Sequence, residues 1–160
     1  MERLIYAAIA THGKEDRDLK IPIKSILPFV DKIAIFHGAW DGMENLDSSF
    51  ISRDFALVNG EHGKNWHDEN SKRVFMANWG GPGSWCFFLD SDERLVAGGE
   101  HIRTLTELSG LNTFKVTVIE KGKSMFRENM FRYKAFDGQR FSSSTAIVIE
   151  HLGLGKNHIP

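Results

Sequence analysis

Residues 85–95 read WCFFLDSDERL: five apolar residues, Trp85 to Leu89, run directly into Asp90, Asp92 and Glu93. A short continuous apolar run bounded by turn signals is the pattern of a strand buried on both faces of a sheet. Three acids at its end need a physical reason. Asp90 and Asp92 flank a single turn residue, and like charges that close repel unless a proton or a cation intervenes. Hard divalent ions such as Mg²⁺ and Mn²⁺ take one or two carboxylates and leave the rest of their shell to phosphates and water. The plainer alternative is that the acids cap a solvated turn.

The same reading extends upstream. LIYAAIAT (4–11) is a second apolar run and predicts a buried strand. In DLKIPIKSILPFV, Leu19, Ile23, Ile26, Leu27 and Val30 lie near helical spacing, with Pro22 in the first turn and Pro28 as the stop. KIAIF (32–36) predicts a strand leading into the Gly-rich loop HGAWDG, and FALVN (55–59) a short third strand. ENSKRVFMANWG predicts a helix with Val74, Phe75 and Asn78 on adjoining turns and Gly80 as its stop. Alternation of this kind predicts an α/β fold, a mostly parallel central sheet flanked by helices. Ligands of such sheets bind outside the carboxyl ends of the strands, where His12, His37 and Asp90 fall. Downstream the signals weaken. EHIRTLTELSG (100–110) reads as a helix, TFKVTVIE (113–120) as an alternating strand, and TAIVIEHLG (145–153) as a last strand. Between them, KSMFRENMFRYKAFDGQRF reads as one or two strands or a hairpin.

The chain of 160 residues has room for a real core without disulfides, and its 41% hydrophobic and 26% charged residues are those of a globular protein. No linker, repeat or low-complexity segment interrupts it, so one compact domain is expected over 1–160. A net charge of −1 gives no global attraction to nucleic acid or anionic membrane. No apolar run approaches the roughly 20 residues of a membrane span. The segment MERLIYAAIATHGKED is read as a first strand rather than a leader. The one cysteine, Cys86, is read as a small buried strand residue, and nothing argues for secretion, so a cytoplasmic location is expected. Charge is unevenly spread. Residues 41–70 hold seven acids against two bases, net −5, and residues 121–140 hold six bases against two acids, net +4. That contrast is either two solvated faces or a cleft with a cation-binding side and an anion-binding side.

WCFFLDSDERL resembles the metal-binding segment of GT-A-type glycosyltransferases of family 2, in the bacterial and phage-type branch where an apolar strand precedes Asp-x-Asp-Glu. LKIPIKSILPFVDKIAIFHGAWDG is similar to that branch's first helix, second strand and Asp-Gly loop. NSKRVFMANWGGPGSW is similar to the helix before the metal segment, and SMFRENMFR to a strand beyond it. The resemblance covers residues 4–95 well and the remainder thinly. It implies a GT-A-like (Rossmann-like) fold, with residues 1–95 forming the nucleotide- and metal-binding half and 96–160 the acceptor half. It implies inverting, metal-dependent transfer of a sugar from a nucleotide diphosphate sugar to an acceptor hydroxyl, with Mn²⁺ or Mg²⁺ held by Asp90 and Asp92. His151 is a candidate third metal ligand. Thr11, His12, Glu15, His37 and Asp41 occupy the nucleotide-contacting positions, His37 standing where the family has an aspartate. Arg73 is the preferred phosphate partner, with Lys72, Arg127 and Arg132 as others, and Asp90 lies beside the donor.

The general base is assigned to Asp137, with Glu93 and Glu150 as alternatives. NWHDEN (65–70) is a poor metal cluster but a candidate donor-site loop through Trp66 or Asp68. His62, His101 and His158 have no supporting context. The Gln/Arg-x-x-Arg-Trp motif of processive members is absent, which argues against a polymerising synthase. The chain is short for the family, which implies an acceptor side that is minimal or completed in a homo-oligomer. The acceptor stays open among protein, glycan, lipid and modified DNA. Two rival readings remain: a degenerate GT-A-like binding or assembly module, and another metal-dependent phosphoryl- or nucleotidyl-transfer enzyme.

Overall fold

The computed structural model describes residues 4–11, 19–37, 55–59 and 69–153. Among the described residues, eight strands run in the order β1 (Ile5–Thr11), β2 (Lys32–His37), β3 (Phe55–Asn59), β4 (Trp85–Asp90), β5 (Glu93–Ala97), β6 (Thr113–Glu120), β7 (Lys123–Arg132) and β8 (Phe141–His151). Among the same residues, three α-helices lie between them: α1 (Lys20–Ile26), α2 (Glu69–Asn78) and α3 (Ile102–Leu105). One sheet holds all eight strands in the spatial order β3-β2-β1-β4-β7-β6-β8-β5. The β1–β2, β1–β4, β2–β3 and β6–β8 ladders are parallel; β4–β7, β6–β7 and β5–β8 are antiparallel. The α/β fold read from the alternation of elements is therefore the one observed, with an antiparallel addition on one side.

The apolar runs are continuous because both faces of the central strands are covered. Ile5, Ala7 and Ile9 of β1 join Trp85, Phe87 and Leu89 of β4 in one core, into which α1 sends Ile23 and Ile26. Tyr6, Ala8 and Ala10 join Cys86 and Phe88 in a second core on the other face, under Met76 and Ala77 of α2. Alternate residues of one strand thus serve two cores. Pro22 sits in the first turn of α1, and Pro28 opens a 3-10 turn over Leu27–Phe29 that ends it.

Three sequence expectations are corrected. The buried face of α2 is Lys72, Met76 and Ala77, whereas Phe75 is exposed, its edge against Phe36. Gly80 does follow that helix, but through close packing: a Cβ there would lie 2.5 Å from the Tyr6 ring. The helix expected over 100–110 shrinks to a 3-10 turn and the four residues of α3. Its threonines favour local bonds, as when Thr106 Oγ1 donates to the Arg103 carbonyl at 2.6 Å. Strand β5 (Glu93–Ala97) is an addition for which the sequence pattern predicts no element, because Glu93 and Arg94 look solvated in sequence.

Cys86 is buried, and burial pushes its thiol well above the ordinary range. It should resist a thiol reagent in the folded protein and react once urea unfolds the chain. Phe87→Ala should cost about 3–5 kcal/mol in urea denaturation, because Phe87 is buried in the centre of one core.

Candidate active site

Strand direction decides which residues meet. Strands β1, β2 and β4 are parallel, and their carboxyl ends lie side by side: Thr11 is opposite His37, and Ala10 is opposite Asp90. Strands β6 and β8 end at the same pole, with Glu120 and His151, and β5 starts there, Glu93 opposite His151. The acids after β4 are therefore met by side chains from three later strands.

Glu93 is the centre of this arrangement. Its side chain is 0% exposed. Oε1 accepts hydrogen bonds from the Arg127 guanidinium at 2.7 Å and the Asp90 backbone N–H at 2.9 Å. Oε2 has no hydrogen-bond donor among the described residues, and His151 Nδ1 lies 3.7 Å away. Burial, and then the charge of Asp90, raise the Glu93 pKa above its ordinary value, while Arg127 works the other way. For Arg127, burial alone would lower the pKa. The bond and charge of Glu93, with Asp90 and Asp92 behind them, outweigh it and raise the value.

Asp92 is buried too, at 6% exposure, and its Oδ2 lies 3.4 Å from His151 Nε2. The same nitrogen is 3.9 Å from Glu120 Oε1, whose side chain is 43% exposed. Two donors about 2.1 Å from one ion stand roughly 3 Å apart when they subtend a right angle. Little movement would bring the Asp92 oxygen and the His151 nitrogen onto a shared cation. Among the described residues no set of three His, Cys, Asp or Glu side chains is arranged to hold a metal ion. The pair could thus supply only part of a shell. Asp90 does not join the pair: its carboxylate is 59% exposed and 4.0 Å from Arg127.

Beside the acids, a cleft of about 210 Å³ opens between β4 and β7. The β4–β7 ladder ends at Phe87–Met130, and the β6–β7 register shifts just beyond Met130, which leaves Asn129 as an extra residue. Asn129 Nδ2 donates to the Phe88 carbonyl at 2.6 Å, and its Oδ1 accepts from Arg127 Nε at 2.9 Å. The bulge holds the strands apart and aims Arg127. From α2, Lys72 and Arg73 enter the same cleft. Arg73 donates to the Glu128 carbonyl at 2.9 Å and lies over the Phe88 and Phe131 rings, which fixes a cation at the wall. The cleft is suited to an anion, and the pole beside it to a cation.

Other sequence candidates lie elsewhere. Asp137 follows β7, whose last residue Arg132 pairs with Trp85 at the start of β4. It therefore stands at the opposite pole, about 17 Å of strand from Asp90, and the general-base assignment falls. Glu93 has no exposed surface with which to meet an acceptor, so it positions Arg127 and the β4 turn. Glu150 faces away from His151 and pairs with Arg94 at 2.9 Å. Arg132 lies with Asp137, not in the cleft. His101 lies at the surface, 3.5 Å from Glu100. Thr11 and His37 end adjacent strands at the acidic pole. His12, Glu15, Asp41, His62, Trp66, Asp68 and His158 lie outside the described residues. Glu120 and Asn129 were missed. Glu120 had the signal that marked Asp90, an acid closing a strand, whereas a bulge leaves none.

The sequence matches no protein-family model and no curated protein. Among solved structures the chain is similar to 4-diphosphocytidyl-2C-methyl-D-erythritol synthase from Anaerococcus prevotii. The TM-score is 0.60 at 11% identity, over 96% of this chain and 90% of that one. A weaker likeness is to glucosyl-3-phosphoglycerate synthase from Mycobacterium tuberculosis, solved with Mn²⁺, uridine diphosphate and phosphoglyceric acid. There the TM-score is 0.48 at 16% identity, over 74% of this chain and 44% of that one. At such identities the first likeness shows a shared fold alone.

The raised Glu93 pKa makes stability depend on pH. The folded chain holds this proton more tightly than the unfolded chain, so stability falls as pH rises from the ordinary value of 4.5 through the raised one. Urea denaturation of chelator-treated protein should show the wild type losing stability relative to Glu93→Gln across that window. A difference that is flat, or that grows in the wild type's favour as pH rises, contradicts the assignment.

Proposed function

We propose that this chain is a metal-dependent glycosyltransferase that moves a sugar from a nucleotide diphosphate sugar to an acceptor hydroxyl. The observation that carries the reading is the meeting of Asp92 and His151 at 3.4 Å, buried at the carboxyl end of β4 and beside a cationic cleft. Asp92 and His151 would hold Mn²⁺ or Mg²⁺, and the metal when bound would neutralise charge on a diphosphate leaving group. Arg73 and Lys72 bind phosphate oxygens, Arg73 with its fork already oriented by the Phe88 and Phe131 rings. Arg127, fixed by Glu93 and Asn129, faces the same cleft and adds positive charge where the leaving group gains negative charge. Thr11, His12, His37 and Asp41 contact the nucleoside. Glu120, the part-exposed carboxylate next to His151, takes the proton of the acceptor hydroxyl in place of Asp137.

A second reading, nucleotidyl transfer from a nucleoside triphosphate to a phosphorylated sugar or alcohol, is favoured by one observation. Three cationic side chains, Lys72, Arg73 and Arg127, share one cleft, enough for a triphosphate. The two readings differ in product: the first releases a nucleoside diphosphate, the second pyrophosphate.

A thermal-shift screen of nucleotides and nucleotide sugars, with and without Mn²⁺, tests the proposal, since a ligand that binds the native state raises its melting point by mass action. The expected result is a shift with a nucleotide diphosphate sugar that requires Mn²⁺ and is lost in Asp92→Ala. A shift confined to nucleoside triphosphates, with pyrophosphate released on turnover, selects the second reading. No shift in folded protein points to a binding or assembly module without transfer activity. Glu120→Gln should lower kcat on the order of 100-fold or more while leaving the donor KM nearly unchanged.

A further inference from the structure

We propose that the opposite pole of the sheet carries a second ligand site, a pocket for a small phosphorylated molecule. It is a cavity of about 430 Å³ at the start of β4, β6 and β8 and the end of β7. Arg132, Lys134 and Arg140 line it with Tyr133, Asn112 and a single acid, Asp137. Among the described residues none of these three cations forms an ion pair, whereas Arg94, Arg103 and Arg127 each do. The basic stretch of residues 121–140 is therefore divided: Arg127 serves the cleft, and Arg132, Lys134 and Arg140 face this pocket.

The pocket is built rather than a chance gathering of surface charge. Asn112 is 5% exposed, and every group of its side chain is used. Its Nδ2 donates to the Gly138 carbonyl at 2.8 Å. Its Oδ1 accepts from the Arg140 N–H at 2.7 Å and the Thr113 hydroxyl at 3.2 Å. Arg140 Nε donates to the Gly110 carbonyl at 2.6 Å, which fixes the guanidinium and leaves its outer nitrogens for a ligand. The Tyr133 N–H is held by the Ser84 carbonyl. Lys134 has φ 60, the left-handed region that a lysine rarely adopts. Lys121 is also left-handed, but it shares with Gly122 the two-residue hairpin joining β6 to β7, where positive φ is the rule. No hairpin asks for it at Lys134. Instead Asn78 Oδ1 accepts the Lys134 N–H at 2.7 Å and holds the backbone there, which lays the ammonium against the Tyr133 ring. Strain imposed by neighbours in this way marks functional positions.

The chemistry that fits is a phosphomonoester or diphosphate. Arginine forks match the oxygens of such groups, and the tyrosine ring offers an apolar face to the rest of the molecule. Three cations gathered at one open depression suit a compact ligand, whereas a long polyanion is tracked along an extended basic groove. Strand β6 separates this pocket from the acidic pole by about 23 Å, so its ligand takes no part in bond making there. The site is for binding, as an effector or an anchor, and stands whether or not the transferase reading does.

The test is an NMR titration of chelator-treated, full-length protein with inorganic phosphate and with a nucleoside monophosphate. The expected result is movement of the backbone amides of Gly83, Tyr133 and Gly138. Affinity should fall roughly tenfold in Arg132→Gln and hold in Arg73→Gln. Lys134→Gly provides a control on folding: glycine accepts φ 60 without strain, so the melting temperature should hold or rise while affinity falls. The proposal is overturned if only amides around Lys72, Arg73 and Arg127 move, if Lys134→Gly binds as the wild type does, or if folded protein binds neither phosphate. Binding of an oligonucleotide at this pole without binding of the small phosphates overturns it too.

Discussion

The carboxyl group of Glu93 sits where no water reaches, and much of the acidic pole is arranged by what that requires. A buried carboxylate is costly unless donors meet it, and here they come from Arg127 and from the backbone N–H of Asp90. Satisfying that one group ties the end of β4 to the start of β5 and to the middle of β7. It holds the turn that carries Asp92 and sets the imidazole of His151 alongside. Removing Arg127 would leave the carboxyl with one donor; removing Glu93 would leave Arg127 held through its bond to Asn129. A residue that touches no ligand thus governs the side chains around it.

The mixed sheet explains why the charges separate into two poles. Parallel strands β1, β2 and β4 deliver their carboxyl ends to one side, and β6 and β8 end there as well. Strand β7 runs the other way, so Arg127 midway along it reaches the acids and Arg132 at its end does not. A single basic stretch in the chain becomes two sites because the strand that carries it spans the sheet. The bulge at Asn129 adds the other necessary feature, a parting of β4 from β7 that makes room beside the acids.

How much of this was legible depended on the range of the interactions. Strands β1, β2 and β4 could be read because burial on both faces leaves an uninterrupted apolar run, a property of the strand itself. The strand at 113–120 could be read because its alternation is local too. Strand β5 could not be: Glu93 and Arg94 look like turn residues until Arg127, 34 positions away, is known to lie against Glu93. His151 could be named as a strand-end histidine, but its approach to Asp92 depends on β8 pairing with β5. Asp137 was misplaced for the same reason. The resemblance implied a carboxylate beyond the metal segment on the acceptor side, while strand direction put Asp137 at the far end. The helix expected over 100–110 ends early on local grounds, where the Thr106 hydroxyl bonds back to the Arg103 carbonyl.

The central claim is that Asp92 and His151 offer one oxygen and one nitrogen to a shared divalent ion at the carboxyl pole. Electron spin-echo spectroscopy of Mn²⁺ bound to the protein in the presence of a nucleoside diphosphate tests it most directly. The account predicts modulation from a directly coordinated nitrogen, present in the wild type and absent in His151→Ala. Bound Mn²⁺ with no coordinated nitrogen, or a nitrogen signal that survives His151→Ala, would contradict it.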